Sequence, residues 1–398
     1  MARELVIVGA GITGLSLAVH AAQRGLDTTV VEAGIVGGVA TQRSSGLVHT
    51  HQRDQHAAQL ALRGLQHFES FAERYGGPSG FVKTGFAYVP GQDELIDGSF
   101  RARVRMLKAA GVETEVLTAP ELEEIEPALE LGVAGTVAYE PRSGYADPEV
   151  TAMTLRGAAE HAGVTFVDHT SVVGLLIGAI RTMPGSPHFN PAAVRGVRVA
   201  SGETLLAEKT VLCAGAWSRV LAAEAGLDLQ VRPAAAPMAA LARRTTSHLT
   251  VVDAGLGICF RPEADSATLV WRRDEDVPLE SPDAELPELD GESAVLLSER
   301  LAERMPVSEG TELLGSITGL LDITRDGLPL IGPTFVPGLW VNCGWSGMGF
   351  ESATAAADSL ATWLRVGRRP PDLAPFSPSR ELGAPQPFGS TPALGSGA

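Results

Sequence analysis

Lysine is nearly missing from this chain. It occurs only as Lys83, Lys108 and Lys209, so arginine carries almost all the positive charge. Positive charge as a whole is outweighed, with 31 Lys and Arg against 47 Asp and Glu and a formal net charge of -16. That excess of acid argues against nucleic acid and against anionic membrane surfaces as partners. Cysteine is scarce too. Cys213, Cys259 and Cys343 are far apart and flanked by apolar residues, which fits no metal-ligand spacing. Free buried thiols in a reducing, cytoplasmic setting are the expectation, with no metal. No apolar run reaches the roughly 18 residues needed to span a bilayer, and no signal peptide precedes the first strand. There is no internal repeat. The 398 residues, 44% hydrophobic and 20% charged, suit a soluble globular protein with room for two domains.

What the chain does contain is concentrated at its start. Leu5 to Val8 is a short apolar run, as a buried parallel strand should be. It leads into Gly9-x-Gly11-x-x-Gly14, an apolar helix over Leu15 to Arg24, a turn at Gly25, and a second β-branched run, Thr28 to Val31, that ends on Glu32. Gly9 makes the tight turn, Gly11 lets backbone approach a pyrophosphate, and Gly14 lets the helix pack close to the strand. The helix N-terminus offers N–H groups and partial positive charge to the phosphates. Glu32 is an acceptor for adenosine ribose hydroxyls, and an acid there disfavours a 2′-phosphate. A lone glycine fingerprint is weak; strand, glycines, helix, second strand and acid in sequence are not.

Further along, Gly34 to His49 is too rich in Gly and Ser for a helix and too long for a turn, and a loop there crosses the ligand in such folds. Helices are expected over Asp54–Tyr75, Leu95–Ala110, from Ala119 to before Pro127, and from Pro148 (capped by Asp147) to about His161. Ser293–Arg304 and Ser352–Arg365 read as helices as well. Strands are expected over Phe81–Val89, Ala134–Tyr139, Val164–Val167 and Ser171–Ile177, and from Lys209 to Gly215, where a glycine ends the strand before a helix. Val194–Val199 and Thr204–Ala207 read as a hairpin. Residues 229–273 read as an antiparallel sheet, joined by Glu312–Leu321, and Leu328–Gly332 and Leu339–Asn342 as short strands. Met183–Pro191 and Asp274–Glu292 read as loops.

The order of these pieces resembles the D-amino-acid-oxidase-like family of FAD-dependent oxidoreductases, near its sarcosine oxidase and glycine oxidase branch. The likeness covers about residues 3 to 366. It rests on the first motif with Glu32, then Gly144-Tyr145-Ala146-Asp147-Pro148, then Val211-Leu212-Cys213-Ala214-Gly215-Ala216-Trp217-Ser218. Thr324 to Gly332 and Val341 to Phe350 complete it. The fold it implies is α/β: a Rossmann-like FAD-binding domain with a second α+β substrate domain built on an antiparallel sheet. The FAD-binding domain would be discontinuous, from residues 1–80, 145–225 and 320–369. The substrate domain would come from 81–144 and 226–319, and 370–398 would be a disordered tail.

By the same resemblance, FAD contacts fall on Gly9, Gly11, Ile12, Thr13, Gly14, Glu32 and Ala33, and on the loop residues Ala40, Thr41, Arg43, Ser44, Ser45 and Gly46. Val172, Val173, Ala214, Gly215 and Trp217 follow, then Gly344, Gly347, Met348, Gly349 and Phe350. The last turn would lie by the flavin pyrimidine, where a helix N-terminus stabilises negative charge. The reaction implied is hydride transfer to flavin from a C–H beside nitrogen, with no protein base required if the amine arrives neutral. Partners implied are a small amine or amino acid, dioxygen or another electron acceptor, and copies of this chain or partner subunits in an oligomer. A 2-hydroxy acid is the alternative substrate.

Three departures from the sarcosine-oxidase pattern stand out. A lysine that meets the substrate carboxylate is replaced by Glu351. The stretch Gly319-Leu320-Leu321-Asp322 has no nucleophile to tether the flavin. The lysine that activates dioxygen is missing, with Arg261, Arg272 or Arg273 as possible substitutes. Three catalytic candidates result. His49 could face flavin or substrate, or be a surface residue. Arg261 could anchor a carboxylate, or pair with Glu263. Glu351 could face a cationic amine, turn toward an arginine, or only favour the first turn of its helix.

Overall fold

The computed structural model describes residues 3–132, 135–179, 192–264, 266–273 and 276–382. Two large sheets dominate. In the first, the strand order is Leu330–Pro333, Leu339–Cys343, Thr204–Leu212, Arg3–Val8, Thr28–Val31, Thr165–Val167. Arg3–Val8 runs parallel to both neighbours, with Val8 opposite Leu212 on one side and Val31 on the other. Alternation splits its side chains between two cores, because successive residues of a strand point to opposite faces. Leu5 and Ile7 pack with the helices Ile12–Gln23 and Gly349–Val366, whereas Val6 and Val8 pack with Leu212, Leu221 and Val341. Burial on both faces explains the unbroken apolar run.

The second sheet has Val231–Ala242 as its long strand. On one edge this pairs with Leu313–Thr324, and on the other with Ala267–Arg272, from which the sheet continues through Ile258–Glu263, Thr250–Asp253, Phe86–Val89, Thr136–Glu140 and Glu115–Thr118. The expected antiparallel pattern holds except at one place: Phe86–Val89 and Thr250–Asp253 run parallel. The helix Gly291–Arg304 covers this sheet through Leu297 and Leu301. The chain passes from the first sheet to the second and back twice, so no continuous segment builds either.

Several elements differ in extent from expectation. The helix over 54–75 breaks at Ser70, whose hydroxyl donates to the Gln66 carbonyl, a local bond that competes with the helical ladder. The helix over 95–110 becomes Gln92–Ile96 and Ser99–Ala109, parted by Gly98 at φ +78°. The strand over 81–89 starts at Phe86, and Val82 makes an isolated bridge to Tyr145. The two runs expected over 204–207 and 209–215 form one strand, Thr204–Leu212, hairpin-paired at its start and parallel to the first strand afterwards. Of the expected loop 274–292, Val277–Pro278 joins the edge of the second sheet. Ala134 and the loop 183–191 lie outside the described residues.

The segment after residue 369 departs most from its reading as a disordered tail. Pro371–Phe376 is a 3-10 helix, with Leu373 and Phe376 fully buried in the core beneath the last long helix. Arg380 forms a two-pronged pair with Asp326, at 2.8 and 2.9 Å. Two apolar side chains and one cation were enough to order a stretch whose composition reads as loop. Residues 383–398 lie outside the described residues.

Candidate active site

A cavity of about 1140 Å³ runs from the first glycine motif to the underside of the second sheet. At one end the three glycines have distinct environments. Gly9 sits at φ +101°, and a Cβ there would lie 2.6 Å from the Cys213 carbonyl oxygen. A Cβ on Gly14 would lie 2.0 Å from the Gly9 carbonyl oxygen, so this position enforces the helix-to-strand contact. At Gly11 the nearest atom to a Cβ is Thr41 Oγ1 at 3.2 Å, and the residue opens onto the cavity. Glu32 is held by backbone: Oε2 accepts from the Ala10 amide at 2.7 Å and Oε1 from the Gly34 amide at 2.8 Å. The Ile12 amide donates to Thr41 Oγ1 at 2.9 Å, tying the loop to the helix N-terminus.

Most of the expected cofactor residues converge on this cavity. Gly9, Gly11, Ile12, Thr13, Glu32 and Ala33 line it, with Ala40, Thr41, Arg43, Ser44 and Ser45 from the loop. So do Val172, Val173, Ala214, Gly215, Trp217, Gly347, Met348, Gly349 and Phe350. Gly14, Gly46 and Gly344 stand behind the wall, each for a packing reason. A Cβ on Gly46 would lie 2.3 Å from the Ala146 carbonyl oxygen, and one on Gly344 2.5 Å from Thr324 Cγ2. The residues fit an extended dinucleotide: a helix N-terminus and an open glycine at one end, continuous space to a second Gly-rich turn at the other.

That second turn is clamped by a residue the sequence reading passed over in this role. Asp322 Oδ2 accepts from the Gly344 amide at 2.6 Å and Oδ1 from the Trp345 amide at 3.2 Å. Burial nevertheless raises its carboxyl to about 6. Asp322 was named only as part of a stretch without a nucleophile; its carboxylate here acts like a helix cap delivered from another strand.

The catalytic candidates separate. His49 lines the cavity, stacked on Phe86 at 4.6 Å, and burial lowers it to about 4. It is not a surface residue. Glu351 also lines the cavity; it is 2% exposed, and its Oε1 accepts from Gln52 Nε2 at 3.0 Å. Burial raises its carboxyl to about 8. Arg261 lies off the cavity. Its guanidinium donates to the Ser45 and Pro262 carbonyls, pairs with Glu263 at 2.5 Å and covers the Tyr145 ring at 4.6 Å. A residue bonded on all these sides fastens the loop to the sheet; the Glu263 pair is the alternative its sequence left open. Arg272 and Arg273 do line the cavity.

The sequence reading did not single out the rest of this wall. His51, Phe86, Tyr88 and Arg103 all line it. Tyr88 donates to Glu94 at 2.7 Å and accepts from Arg273 at 3.2 Å, while Arg103 pairs with Glu94 at 2.7 Å. Arg273 reaches Tyr88 from 185 positions away, and the others come from a loop, a strand and a helix, so no local spacing could reveal them. The alternation Phe86-x-Tyr88 was the available clue, since both must face one side of the sheet.

Fold and cavity together define a dinucleotide-dependent oxidoreductase scaffold of two sheets. A family model described as DAO, FAD dependent oxidoreductase, matches residues 4–363, and the chain belongs to that family. It is an oxidoreductase enzyme whose cofactor is FAD. It is 26% identical to sarcosine oxidase subunit beta of Arthrobacter sp. over 392 residues, covering 95% of this chain and 90% of that one. It is 25% identical to glycine oxidase of Geobacillus kaustophilus over 388 residues, covering 96% and 97%. The solved structure of that glycine oxidase superposes with a TM-score of 0.80 over 96% of this chain and 100% of the other. L-proline dehydrogenase from P. horikoshii shares the fold, with a TM-score of 0.84 at 22% identity over 95% and 97% of the two chains. Among the described residues, no helix is long and apolar enough to cross a membrane.

Proposed function

We propose that this enzyme oxidises the C–N bond of an amine or amino acid. The observation that carries the reading is the chemistry of the cavity wall beyond the glycine motif: it presents guanidinium groups, Arg103 and Arg273, and a carboxyl group, Glu351. An amino acid offers a carboxylate for the guanidinium groups and, once its ammonium proton is lost, a nitrogen lone pair for the protonated Glu351. Its carboxylate would meet Arg103 and Arg273, in place of Arg261; its nitrogen would meet Glu351 and Gln52. Sarcosine oxidase and glycine oxidase among the relatives support an amine substrate. Bound FAD supplies a hydride acceptor for the C–H bond next to nitrogen.

The chain's own residues do the rest. Gly9, Gly11 and the first helix would hold the pyrophosphate, Glu32 the ribose, and the turn held by Asp322 would face the far end of the cofactor. Phe86 and Trp271 exclude water from the chamber. Domain limits follow the sheets in this reading, with the first sheet binding FAD and the second roofing the substrate. The relative that is a beta subunit also makes partner subunits part of the proposal. The test is anaerobic mixing of the holoenzyme with a panel of amines, amino acids and 2-hydroxy acids, read by flavin bleaching. Bleaching by an amine or amino acid is expected; bleaching by hydroxy acids alone sinks the reading. Reoxidation rate in air then separates oxidase from dehydrogenase.

A further inference from the structure

A polar group in the cavity wall, and a buried carboxylate behind it, are left unused by that account. His51 is 6% exposed, lines the cavity, and neither of its ring nitrogens has a hydrogen-bond partner among the described residues. Its ring lies flat on Tyr88, 4.2 Å between centroids and 14° between planes, so its orientation is fixed by packing. Beside it, Glu140 is 1% exposed. Glu140 Oε2 accepts from the Thr50 amide at 2.9 Å and from Ser143 Oγ at 2.7 Å. Its other oxygen, Oε1, has no hydrogen-bond partner and lies 3.9 Å from His51 Nδ1. A buried carboxylate with one oxygen anchored and the other turned to an imidazole nitrogen is an arrangement that orients a histidine and stabilises its cation.

We propose that His51 accepts the proton which the substrate nitrogen must lose before its C–H bond breaks, and that Glu140 is the residue that positions it. The proposal rests on the amine reading above. An amine or amino acid in neutral solution is an ammonium, with no lone pair on nitrogen. His51 Nε2 takes one proton from that ammonium, leaving a neutral amine and an imidazolium whose Nδ1–H faces Glu140. The C–H hydrogen then leaves with both bonding electrons as a hydride for FAD, and the nitrogen lone pair forms the C=N bond of a protonated imine. The proton leaves His51 for Glu140 and then for water.

The surroundings agree with that assignment. Burial, together with Arg103, His49, Arg273 and Arg53, lowers His51 well below its usual range, so it is neutral in the free enzyme and a weak base until a substrate carboxylate enters. A substrate carboxylate at Arg103 and Arg273 would offset part of that repulsion, with Glu94 already paired to Arg103. Glu351, raised to about 8, holds its own proton at neutral pH and is a donor. Burial raises Glu140 to about 7, so it can take a proton onward. His49 also has an unpartnered Nδ1, but among the described residues no carboxylate lies within 4.0 Å of its ring nitrogens.

The experiment measures flavin reduction by stopped flow from pH 6 to 10.5 for the wild type, His51→Gln and Glu140→Gln, with FAD content and Tm recorded for each. In the wild type the rate rises with pH to a plateau. In His51→Gln the rate at pH 7 falls by about 10²-fold or more, the range for a lost general base. It recovers toward the wild-type plateau above pH 9.5, where free amine arrives from solution. Glu140→Gln, which keeps its Ser143 contact, loses about 10-fold with the same recovery. A merely structural role predicts equal loss at every pH. Such loss in both variants with an amine substrate, or a His51→Gln profile like wild type, overturns the proposal. If His51→Gln does not fold, Glu140→Gln alone decides by the same recovery. If only hydroxy acids bleach the wild type, the amine reading fails separately. The proposal, stated for a substrate nitrogen, then falls with it, whereas failure of the variants with an amine substrate overturns the proposal alone.

Discussion

Glu351 Oε1 accepts a hydrogen bond from Gln52 Nε2 at 3.0 Å, joining the first turn of the last long helix to the loop that follows the cofactor segment, 299 positions away in sequence. The acid sits where a helix N-terminus favours negative charge, yet burial keeps it protonated at neutral pH. It is therefore poised between a structural and a substrate-binding role, and two substitutions separate them.

Glu351→Gln keeps the shape and the Gln52 contact, so we expect modestly weakened substrate binding. Glu351→Lys places a cation against the substrate nitrogen, and two like charges about 4 Å apart repel by roughly 4 kcal/mol at an effective dielectric of 20. A large loss of binding with retained FAD is expected, read by flavin reduction kinetics; unchanged kinetics in both variants would remove Glu351 from the substrate. Stability provides a second check. An acid whose folded value, about 8, exceeds its ordinary 4.5 stabilises the fold fully below pH 4.5 and loses that contribution as pH rises toward 8. The Tm of Glu351→Gln relative to wild type should therefore climb between pH 5 and 8.

The glycines of the first motif should fail in different ways. Gly11→Val projects into the cavity, so the protein should fold and lack FAD. Gly14→Ala drives a Cβ to 2.0 Å from a carbonyl oxygen and should cost about 3 kcal/mol or more, the upper range for overpacking. Glu32→Ala should weaken FAD by about 1–3 kcal/mol, the value of a hydrogen bond to a charged group. Wild-type flavin should be released by acid or heat, since Gly319 to Asp322 supplies no nucleophile. Flavin absorbance after gel filtration, and after acid precipitation, reads all four.

Phe376→Ala should destabilise by about 3–5 kcal/mol, as for a large aromatic removed from a core, because the side chain is fully buried among residues of the first core. Truncation after residue 369 should do more, removing Leu373 and the Arg380–Asp326 pair as well. Urea denaturation measures both; an unchanged midpoint would mean the segment does not dock.

The sequence by itself determined the dinucleotide end of this protein. There the determinants are local: glycines forced by backbone approach within one strand–turn–helix, and an acid at the tip of the next strand, all inside 32 residues. Periodicity likewise placed most helices and strands, faltering where a single residue such as Gly98 or Ser70 interrupts a run and where pairing in the sheets set a strand's limits, as at Phe86 and Thr204–Leu212. The substrate end was decided by tertiary structure. Tyr88 on a strand of the second sheet, Arg103 on a helix, Arg273 at the end of another strand and His51 in a loop meet only because the fold brings these segments together. Arg261 and Glu351, both charged candidates in the sequence, part company only once burial and partners are known. The segment 371–380 is ordered because Leu373 and Phe376 find a cavity beneath the last helix, a complementarity that composition cannot express. Charge and hydrogen bonding act through space, and only the fold sets those distances.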